Sequence, residues 1–466
     1  MIKFKTKLLP HQVKAVEKLS KIKVGALFME QGTGKTRTAL ELAARRYNVG
    51  KVDHILWLCP CSVKRTIQRE IQKHAGVVPV LTICGIETLS SSTKTTAELR
   101  ELVMSKKVFI IVDESSLVKN HRAKRTERIT MLAERCQYRL ILNGTPISKN
   151  ETDLFSQFYI LDWRILGYKS FWSFAANHIE WDENIRGKIR RTLNIDYLVE
   201  KIAPYTYQVK KSECLKLPGK YYSSYYYDLT EDQREHYSDI CSELLFQVDE
   251  YEPHTLYRLF TGLQNVISGF LVGNTDGVHL TKKPFFKNRL DNPRMKMFLY
   301  VIGRLDENEK AIIFCKYTQE INDIVEILND EYGSGSAVPF NGELNQKQRQ
   351  TNIDKFEKEA RFFVANKMTA GFGLNLQFCS CIIYYSNDWD YETRAQSEDR
   401  VHRIGQQESV TIIDIIADRT LDERIVNCLY RKENLLENFK YELEQMKDNK
   451  DLKALEDWID GGKNSA

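Results

Sequence analysis

Val24-Gly25-Ala26-Leu27-Phe28-Met29-Glu30-Gln31-Gly32-Thr33-Gly34-Lys35-Thr36 is the stretch of sequence that decides the fold. It joins a short apolar run, which predicts a buried strand, to a glycine-rich loop and then to the helical pattern of residues 36–46. Glycines let backbone N–H groups close around phosphates, and the helix N-terminus that follows adds a favourable dipole. The stretch therefore predicts a triphosphate site that includes Gly32, Thr33 and Gly34; the alternative is an ordinary glycine turn.

Two side chains at the end of this loop supply the remaining chemistry. Lys35 is expected to neutralise the β- and γ-phosphates, and the Thr36 hydroxyl to complete the ligand shell of Mg²⁺. The full G-x-x-x-x-G-K-T pattern begins with glycine, where this chain has Met29. The setting between a strand and a helix still favours a phosphate loop.

An acidic pair follows a second apolar run, Val108–Val112. Asp113 is expected to hold Mg²⁺, largely through water, and Glu114 to polarise the attacking water as general base. The alternative is a strand that ends in an exposed acidic turn. Because the pair lies at an ordinary distance from the glycine loop, the sequence favours one hydrolytic site made by both.

Short apolar runs alternate with amphipathic segments twice along the chain, which is typical of parallel sheets flanked by helices. We therefore predict an α/β protein with two tandem domains, at residues 1–162 and 294–430. Between them, residues 163–293 are expected to form a mainly helical insertion, with a β-hairpin at 269–286 around a turn that ends in Asp276-Gly277. Residues 431–466 are expected to form a charged helical tail.

Composition narrows the class of protein. The 466 residues are 42% hydrophobic and 28% charged, and no apolar run is long enough to predict a membrane span. The N-terminus lacks the pattern of a signal peptide, so we expect a cytoplasmic monomer without a membrane partner. The ten cysteines are scattered, with no C-x-x-C pair, and are expected to be free thiols. The net charge of +5 is too small to identify a partner.

The order of motifs resembles that of Swi/Snf-type ATPases within superfamily II helicases. The matching segments are Leu9-Pro10-His11-Gln12, Cys59-Pro60-Cys61-Ser62, Asp113-Glu114-Ser115-Ser116-Leu117-Val118-Lys119-Asn120, Asn143-Gly144-Thr145-Pro146, Thr369-Ala370-Gly371-Phe372-Gly373-Leu374-Asn375-Leu376, and Gln396 with Asp399-Arg400-Val401-His402-Arg403-Ile404-Gly405-Gln406. The last segment is the most specific match. The resemblance covers residues from about 5 to 430 and is weakest between 162 and 293.

This resemblance implies two RecA-like lobes that bind ATP and Mg²⁺. It makes Gln12 the reader of adenine and adds Gly373 and Gln396 to the nucleotide site. It also implies that Arg400 and Arg403 reach the γ-phosphate as arginine fingers, so that hydrolysis requires a closed cleft between the lobes. The alternative for both arginines is a surface ion pair with Glu398 or Asp399.

The resemblance also implies a DNA track that is contacted mainly through its phosphates. The candidate contacts are Ser62, Lys64, Lys119, Asn120, Thr145, Lys316, Thr369, Asn375 and Trp389. For Trp389, packing in the protein interior is an equal alternative. RNA is not excluded by the motifs alone.

The sequence departs from the family pattern at several positions. Ser116 replaces the histidine of the acidic motif, and Asn366-Lys367-Met368 replaces the usual lead into the segment at Thr369. Motif Ia lacks the tryptophan that usually follows it, and Lys210-Lys211 stands where two arginines are typical. None of these changes removes a predicted catalytic group.

The predicted function is that of an ATP-dependent DNA helicase or translocase that unwinds or branch-migrates forked DNA. Small size, basic balance and a divergent middle resemble phage-encoded family members that act in replication and recombination, which would place the protein in the host cytoplasm. Phe285 and Phe286, after the predicted hairpin, are a candidate wedge because aromatic rings stack on splayed bases. The alternatives are a duplex translocase without strand separation and a nucleotide-gated DNA clamp with little turnover.

Overall fold

The computed structural model describes residues 1–144, 152–181, 189–215, 217–246, 253–274, 280–367, 374–432, 435 and 459. The chain divides into two compact units, of which the first is Met1–Leu217 and the second begins at Pro218. The interval 163–293, which the sequence predicts as one insertion, is thus shared between the two units. In the described part of the chain, no helix combines the length and the apolar character needed to cross a membrane.

The first unit is built on a parallel sheet of six strands, in the order β3-β2-β4-β5-β1-β8. A separate antiparallel pair, β6 and β7, lies outside this sheet. The strands of the unit are β1 (Val24–Met29), β2 (His54–Cys59), β3 (Leu81–Gly85), β4 (Val108–Val112), β5 (Tyr138–Asn143), β6 (Ile179–Trp181), β7 (Ile189–Thr192) and β8 (Thr206–Val209).

Helices occupy most of the connections in this unit. They are α1 (Pro10–Leu19), α2 (Lys35–Asn48), α3 (Lys64–Ala75), α4 (Thr88–Ser91), α5 (Thr93–Ser105), α6 (Lys124–Glu134), α7 (Asp153–Asp162), α8 (Phe171–His178), α9 (Ile195–Ile202) and α10 (Lys211–Cys214). Short 3-10 turns cover Cys61–Val63, Ser115–Val118 and Ala203–Tyr205.

Both faces of this sheet are covered, as β4 shows. Val108, Ile110 and Val112 pack into one hydrophobic cluster, and the alternate residues Phe109 and Ile111 into another. Successive side chains of a strand point to opposite faces, so a strand covered on both sides needs an unbroken apolar run. This is why β4 is recognisable in the sequence and why its first polar residue, Asp113, lies at the carboxyl edge of the sheet.

The second unit repeats this architecture with a parallel sheet in the order β13-β14-β12-β15-β16-β9. Its strands are β9 (Lys220–Tyr227), β10 (Phe270–Asn274), β11 (Leu280–Pro284), β12 (Ala311–Cys315), β13 (Ala337–Phe340), β14 (Phe362–Asn366), β15 (Cys381–Tyr384) and β16 (Val410–Ala417). Its helices are α11 (Glu231–Phe246), α12 (Pro253–Ile267), α13 (Pro293–Ile302), α14 (Thr318–Tyr332), α15 (Gln346–Lys358), α16 (Tyr391–Glu398) and α17 (Leu421–Arg431), with a 3-10 turn at Arg289–Asp291.

The predicted fold class, two α/β units with parallel sheets flanked by helices, is confirmed. The hairpin is confirmed as well, because β10 and β11 pair antiparallel from Phe270 opposite Pro284 to Asn274 opposite Leu280. Its predicted turn lies outside the described residues, as does nearly all of the tail 431–466 beyond α17.

Five strands, β6, β7, β8, β9 and β13, are missing from the sequence-based prediction. β9 has the sequence Lys-Tyr-Tyr-Ser-Ser-Tyr-Tyr-Tyr and lies at the edge of its sheet, where half of its side chains are exposed. An edge strand needs no continuous aliphatic run, because one side of it is open to solvent. The interval 163–293 therefore contributes an edge strand to each sheet in addition to its helices.

Candidate nucleotide site and nucleic-acid interface

The loop between β1 and α2 has a backbone that requires glycine. Gly32 and Gly34 have φ angles of 81° and 87°, in the left-handed region that side chains with a Cβ disfavour. A Cβ placed on Gly34 would lie 2.1 Å from Nε2 of Gln12. The backbone angle therefore requires glycine at position 34, and any larger residue there would also displace the Gln12 amide.

Helix α1 supports this loop through two buried side chains. Gln12 donates from Nε2 to the carbonyl oxygens of Thr33 at 3.2 Å and Gly34 at 3.4 Å. Nε2 of His11 lies 2.8 Å from the Thr33 oxygen. The structure thus places Gln12 directly against the phosphate loop, and its role as the reader of adenine stays a prediction.

Lys35 is the first residue of α2, and its ammonium donates to the carbonyl oxygen of Met29 at 2.9 Å. A Cβ on Gly144, just after β5, would lie 3.4 Å from Lys35 Nζ and 3.2 Å from Cγ of Gln31. Gly144 therefore leaves space beside the lysine that any larger residue would fill. The next residue of this motif, Thr145, lies outside the described residues.

The acidic pair lies at the carboxyl edge of the same sheet. Asp113 is buried and accepts a long hydrogen bond from the indole N–H of Trp57, at 3.4 Å. Glu114 has a φ of 50° and donates its backbone N–H to Oδ1 of Asp113 at 3.0 Å. A left-handed backbone at a glutamate costs about 1–3 kcal/mol, and such strain clusters at functional sites.

The surroundings of the Asp113 carboxylate favour the binding of a cation. Burial, and secondly the charge of Glu114, raise the pKa of Asp113 to about 7, although Lys35 and the hydrogen bonds act in the opposite direction. A divalent cation held by Asp113 and Thr36 would offset this excess of negative charge. In addition, the buried Oε1 of Gln31, in the phosphate loop, has no hydrogen-bond partner among the described residues. The residues present therefore suit a nucleoside triphosphate with Mg²⁺.

The 3-10 turn after Glu114 is anchored to α7. Ser115 donates its hydroxyl to Oε1 of Gln157 at 2.5 Å, and Lys119 forms an ion pair with Asp153 at 3.5 Å. Both partners on α7 are buried, Gln157 completely. Contacts with α7 therefore hold the acidic motif in position. These contacts are present in a chain that has Ser116 where the family has histidine.

The predicted DNA contacts of the first unit lie on short turns after strands. Ser62, in the 3-10 turn Cys61–Val63, is exposed, and Lys64 begins α3. Asn120 is exposed and accepts a hydrogen bond from the backbone N–H of Arg122 at 2.9 Å. These three side chains are accessible to a partner, whereas Lys119 already carries the ion pair with Asp153.

In the second unit, the segment after α16 carries the predicted arginines. Arg403 donates to Oδ1 of Asn375, another predicted site residue. Arg400 is mostly buried, and its carbonyl oxygen accepts from the backbone N–H of Leu376 at 3.0 Å. Gln396, on α16, is half-buried. The structure therefore joins this segment to the end of the motif at 369–376, in which Thr369 and Gly373 lie outside the described residues.

A buried ion-pair network, which the sequence did not predict, holds α16 in place. Arg394 donates to both carboxylate oxygens of Asp414, at 2.7 and 2.9 Å, and to Glu398 at 2.9 Å. Its guanidinium lies 3.5 Å from the ring centroid of Tyr384. Burial alone would raise the pKa of Asp414, but the Arg394 guanidinium outweighs it and holds that pKa below its ordinary value. In the sequence, this network could have been suspected from Asp414, a lone charged residue inside the apolar strand Val410–Ala417.

Lys316 and Trp389 form a second cluster. The Lys316 ammonium lies 4.0 Å from the ring centroid of Trp389 and 3.9 Å from a carboxylate oxygen of Asp388. The Trp389 ring also packs against Phe260, at 5.9 Å between centroids. Trp389 is therefore partly a packing residue, and any contact to DNA would come from the face that is left.

The candidate wedge lies at the open end of the hairpin. Phe285 follows the pair Phe270–Pro284, and its backbone N–H donates to the Gly269 carbonyl at 2.9 Å. Phe285 and Phe286 are half-buried, with ring centroids 5.0 Å apart. The structure thus places both rings at the base of β10 and β11, and stacking on a base stays a prediction.

Lys367, directly after β14, is buried. Burial lowers its pKa to about 7, with Asp388 opposing that shift and Arg394 adding to it; Asp414 and Lys316 contribute less. The folded chain therefore binds fewer protons than the unfolded chain between pH 7 and the ordinary lysine range. Stability should rise with pH through that window.

We expect Lys367→Met to stabilise the second unit most at low pH. The gain in unfolding free energy should be on the order of a few kcal/mol at pH 6 and should shrink by pH 9, where the folded wild type carries a neutral lysine. Urea denaturation at both pH values measures it, with Lys367→Arg as the control that stays charged. A gain that is the same at both pH values would contradict the assignment.

Gly34→Ala should weaken nucleotide binding by at least about tenfold, because the new Cβ would displace the Gln12 amide from the carbonyl groups of the phosphate loop that it contacts. Gly50→Ala is the matched control: its φ is 70°, but nothing lies within 4 Å of the added Cβ. It should cost about 1 kcal/mol of stability and leave affinity unchanged. Titration with a fluorescent ATP analogue measures both, and equal affinity of the two variants would refute the close-packing argument.

A glycine loop between a parallel strand and a helix, with a lysine at the helix start and an acidic pair on another strand of the sheet, defines a P-loop nucleotide-binding protein of the α/β class. The SNF2-related domain model matches residues 11–267, and the helicase conserved C-terminal domain model matches residues 294–405. The chain belongs to the SNF2-related family.

Several known proteins are similar to this chain. The uncharacterised ATP-dependent helicase MG018 of Mycoplasma genitalium is 25% identical over 434 residues, which cover 88% of this chain and 40% of that protein. The uncharacterised ATP-dependent helicase YqhH of Bacillus subtilis is 24% identical, with coverage of 94% and 80%. The TATA-binding protein-associated factor mot1 of Aspergillus fumigatus is 25% identical, with coverage of 91% and 26%. The chain thus spans well under half the length of MG018 and mot1.

A solved structure is also similar to this chain. It is the SWI2/SNF2 ATPase core of Sulfolobus solfataricus in complex with dsDNA, with 23% sequence identity and a TM-score of 0.41. The match covers 98% of this chain and 96% of that one.

Proposed function

We propose that this chain is a DNA-dependent ATPase that hydrolyses ATP at the glycine loop and uses the energy to move along DNA. The observation that carries the proposal is the assembly of Lys35, Asp113 and Glu114 around a loop whose backbone requires glycine. A protein that only clamps DNA has no need of a general base, so Glu114 favours an enzyme with turnover. Membership of the SNF2-related family supports the same class.

We assign the residues of the chain separate functions in binding and hydrolysing ATP. Backbone N–H groups of Gly32, Thr33 and Gly34 bind the phosphates, and Lys35 exchanges the Met29 carbonyl for the β- and γ-phosphates. Glu114 orients and deprotonates the attacking water. Mg²⁺, held by Thr36 and Asp113, would supply charge neutralisation on the phosphate oxygens. Gln12 contacts adenine, and Gly373 and Gln396 contribute to the nucleotide site.

The arginines of the second unit stabilise the transition state in this proposal. Arg403 leaves Asn375, and both Arg400 and Arg403 donate to the γ-phosphate as charge develops on it. Because Lys35 and the arginines belong to different units, hydrolysis is coupled to the conformation of the chain. That coupling is what turns hydrolysis into movement along a strand.

We further propose that the track is DNA, contacted through its phosphates. The proposed contacts are Ser62, Lys64, Lys119, Asn120, Thr145, Lys316, Thr369, Asn375 and Trp389. Exposed Ser62 and Asn120 support the assignment for the first unit. Binding of this kind should be nearly independent of sequence and should weaken as salt rises.

We also propose that the chain separates strands or drives branch migration at forked DNA, as phage-encoded replication and recombination enzymes of this family do. The hairpin β10–β11, followed by Phe285 and Phe286, supports it. Translocation on duplex DNA without unwinding is the alternative. Deleting Val272–Leu280 should leave ATP hydrolysis intact and abolish fork unwinding, whereas equal loss of both activities would rule out the wedge.

The experiment that tests the proposal is phosphate release in the presence of duplex, single-stranded, forked and four-way-junction DNA, with strand displacement scored in parallel. DNA should stimulate hydrolysis, and Lys35→Ala should abolish the stimulated rate. A Lys35→Ala protein with full stimulated hydrolysis would overturn the nucleotide site. Binding of DNA without stimulated turnover would support the clamp instead.

A further inference from the structure

A pocket of about 350 Å³ lies in the first unit between α6, α7 and the segment that leads into α8. None of the residues assigned to the nucleotide lines it. Its walls include the rings of Phe155, Tyr159, Phe171 and His121. The last two are stacked, with centroids 4.0 Å apart and an angle of 14° between their planes. The volume is sufficient for a side chain or a small organic molecule.

One side chain that lines this pocket has a hydroxyl group without a hydrogen-bond partner among the described residues. Ser156, on α7, is only 3% exposed, and its hydroxyl makes no hydrogen bond to any residue that the structure describes. Buried hydroxyl groups are normally hydrogen-bonded, because burial without a partner is unfavourable. The hydroxyl oxygen itself has almost no accessible surface, so it would meet a polar ligand only if the Ser156 side chain rotated toward the pocket.

The charges around the pocket indicate the sign of that ligand. Glu127 and Glu134, both on α6, are exposed, and neither forms an ion pair with a described residue. The Lys169 ammonium instead lies 5.0 Å from the ring centroid of Trp163. Burial, and secondly the charge of Arg122, lower the pKa of His121 below its ordinary value. Among the lining residues, the carboxylates of Glu127 and Glu134 thus outnumber the ammonium of Lys169.

Two of the nearby cations contact other groups. The Arg122 guanidinium lies over the Trp172 ring at 5.5 Å, and Arg128 donates to the carbonyl of Leu89 at 2.6 Å. Aromatic faces attract cations, and carboxylates form charge-assisted hydrogen bonds with them. We propose that this pocket, bounded by Glu127, Glu134, Ser156 and the aromatic rings, binds a basic side chain, arginine or lysine, of a partner polypeptide.

Occupation of the pocket is connected to the acidic motif by direct contacts. Ser156 lies on α7 between Asp153 and Gln157, the two residues that anchor Lys119 and Ser115. From the other wall, Thr126 donates its hydroxyl to the Val118 carbonyl at 3.2 Å. A ligand here therefore touches both elements that hold the turn after Glu114, and its binding should change the rate of hydrolysis. This second consequence rests on the proposed ATPase activity.

The test uses Nα-acetyl-arginine amide and its neutral analogue Nα-acetyl-citrulline amide, with binding to the full chain followed by saturation-transfer NMR. The arginine compound should bind, and the citrulline compound should bind about tenfold more weakly, because it lacks the charge. The double variant E127Q/E134Q should lose the difference between the compounds. S156A should weaken binding by about threefold. E98Q/E101Q, with the same charge change on exposed positions of α5, should bind as the wild type does.

Equal binding of the two compounds, or unchanged discrimination by E127Q/E134Q, would overturn the proposal. Binding of adenosine that is lost in Phe171→Ala would show a nucleobase site instead and would overturn it as well. Saturating arginine amide should also change the hydrolysis rate of the wild type but not of E127Q/E134Q. Since binding is measured without ATP, failure of the ATPase proposal leaves the binding result valid.

Discussion

Arg403→Ala is expected to lower DNA-stimulated ATP hydrolysis by about 10³-fold or more, with little change in KM for ATP. The physical reason is that the guanidinium would act on charge that develops only in the transition state, so that its loss appears in kcat. In the structure, Arg403 is held by the Asn375 side chain amide, a neutral partner that it can leave without stranding a buried charge. Steady-state phosphate release at saturating DNA is the measurement.

Two further variants test whether Arg403 acts as an arginine finger. Arg403→Lys keeps the charge but not the planar fork of donors, so it should recover only part of the activity. Arg304→Ala, an exposed arginine on the same unit, should have the wild-type rate. If Arg403→Ala raised KM and left kcat unchanged, the residue would act in ground-state binding, and the arginine-finger role would be wrong.

Asp414→Asn is expected to destabilise the second unit by about 3–5 kcal/mol. The change leaves the shape of the strand intact but removes the charge that faces the fully buried guanidinium of Arg394. Breaking one side of a buried ion pair is costly because the other charge stays desolvated, and Glu398 would offset only part of the charge of Arg394. Hydrogen exchange measured by mass spectrometry should show faster exchange in peptides from β12, β15 and β16, with peptides from β1 to β5 unchanged.

The matched control is Asp228→Asn in the same unit. Asp228 pairs with Arg419 at 3.5 Å, but both side chains are more than two-thirds exposed. Such pairs contribute at most about 1 kcal/mol, so this variant should exchange as the wild type does. Because Arg394 also holds α16, Asp414→Asn should lower ATPase activity as well. A protein with wild-type protection and activity would show that the network is dispensable.

The sequence alone was enough to predict the function of Arg403 but not the ion pair of Asp414. Arg403 belongs to a contiguous motif, so its chemistry was predicted by resemblance before any geometry was known. Asp414 was visible as a lone charge in an apolar strand, yet its partner Arg394 lies 20 residues earlier on a helix. Nothing in the spacing of the two identifies them as a pair.

The sequence by itself determined the features that depend on neighbouring residues. The strand–loop–helix at Gly32–Thr36, the acidic pair after β4 and the α/β class follow from local periodicity and from glycine where the backbone needs it. Only the tertiary structure decided which strands lie at the edges of each sheet, that Gln12 supports the loop, that Arg394 pairs with Asp414, and that Ser156 lines a pocket. Those features arise from contacts between residues distant in sequence, where burial and charge are set by packing that no local pattern records.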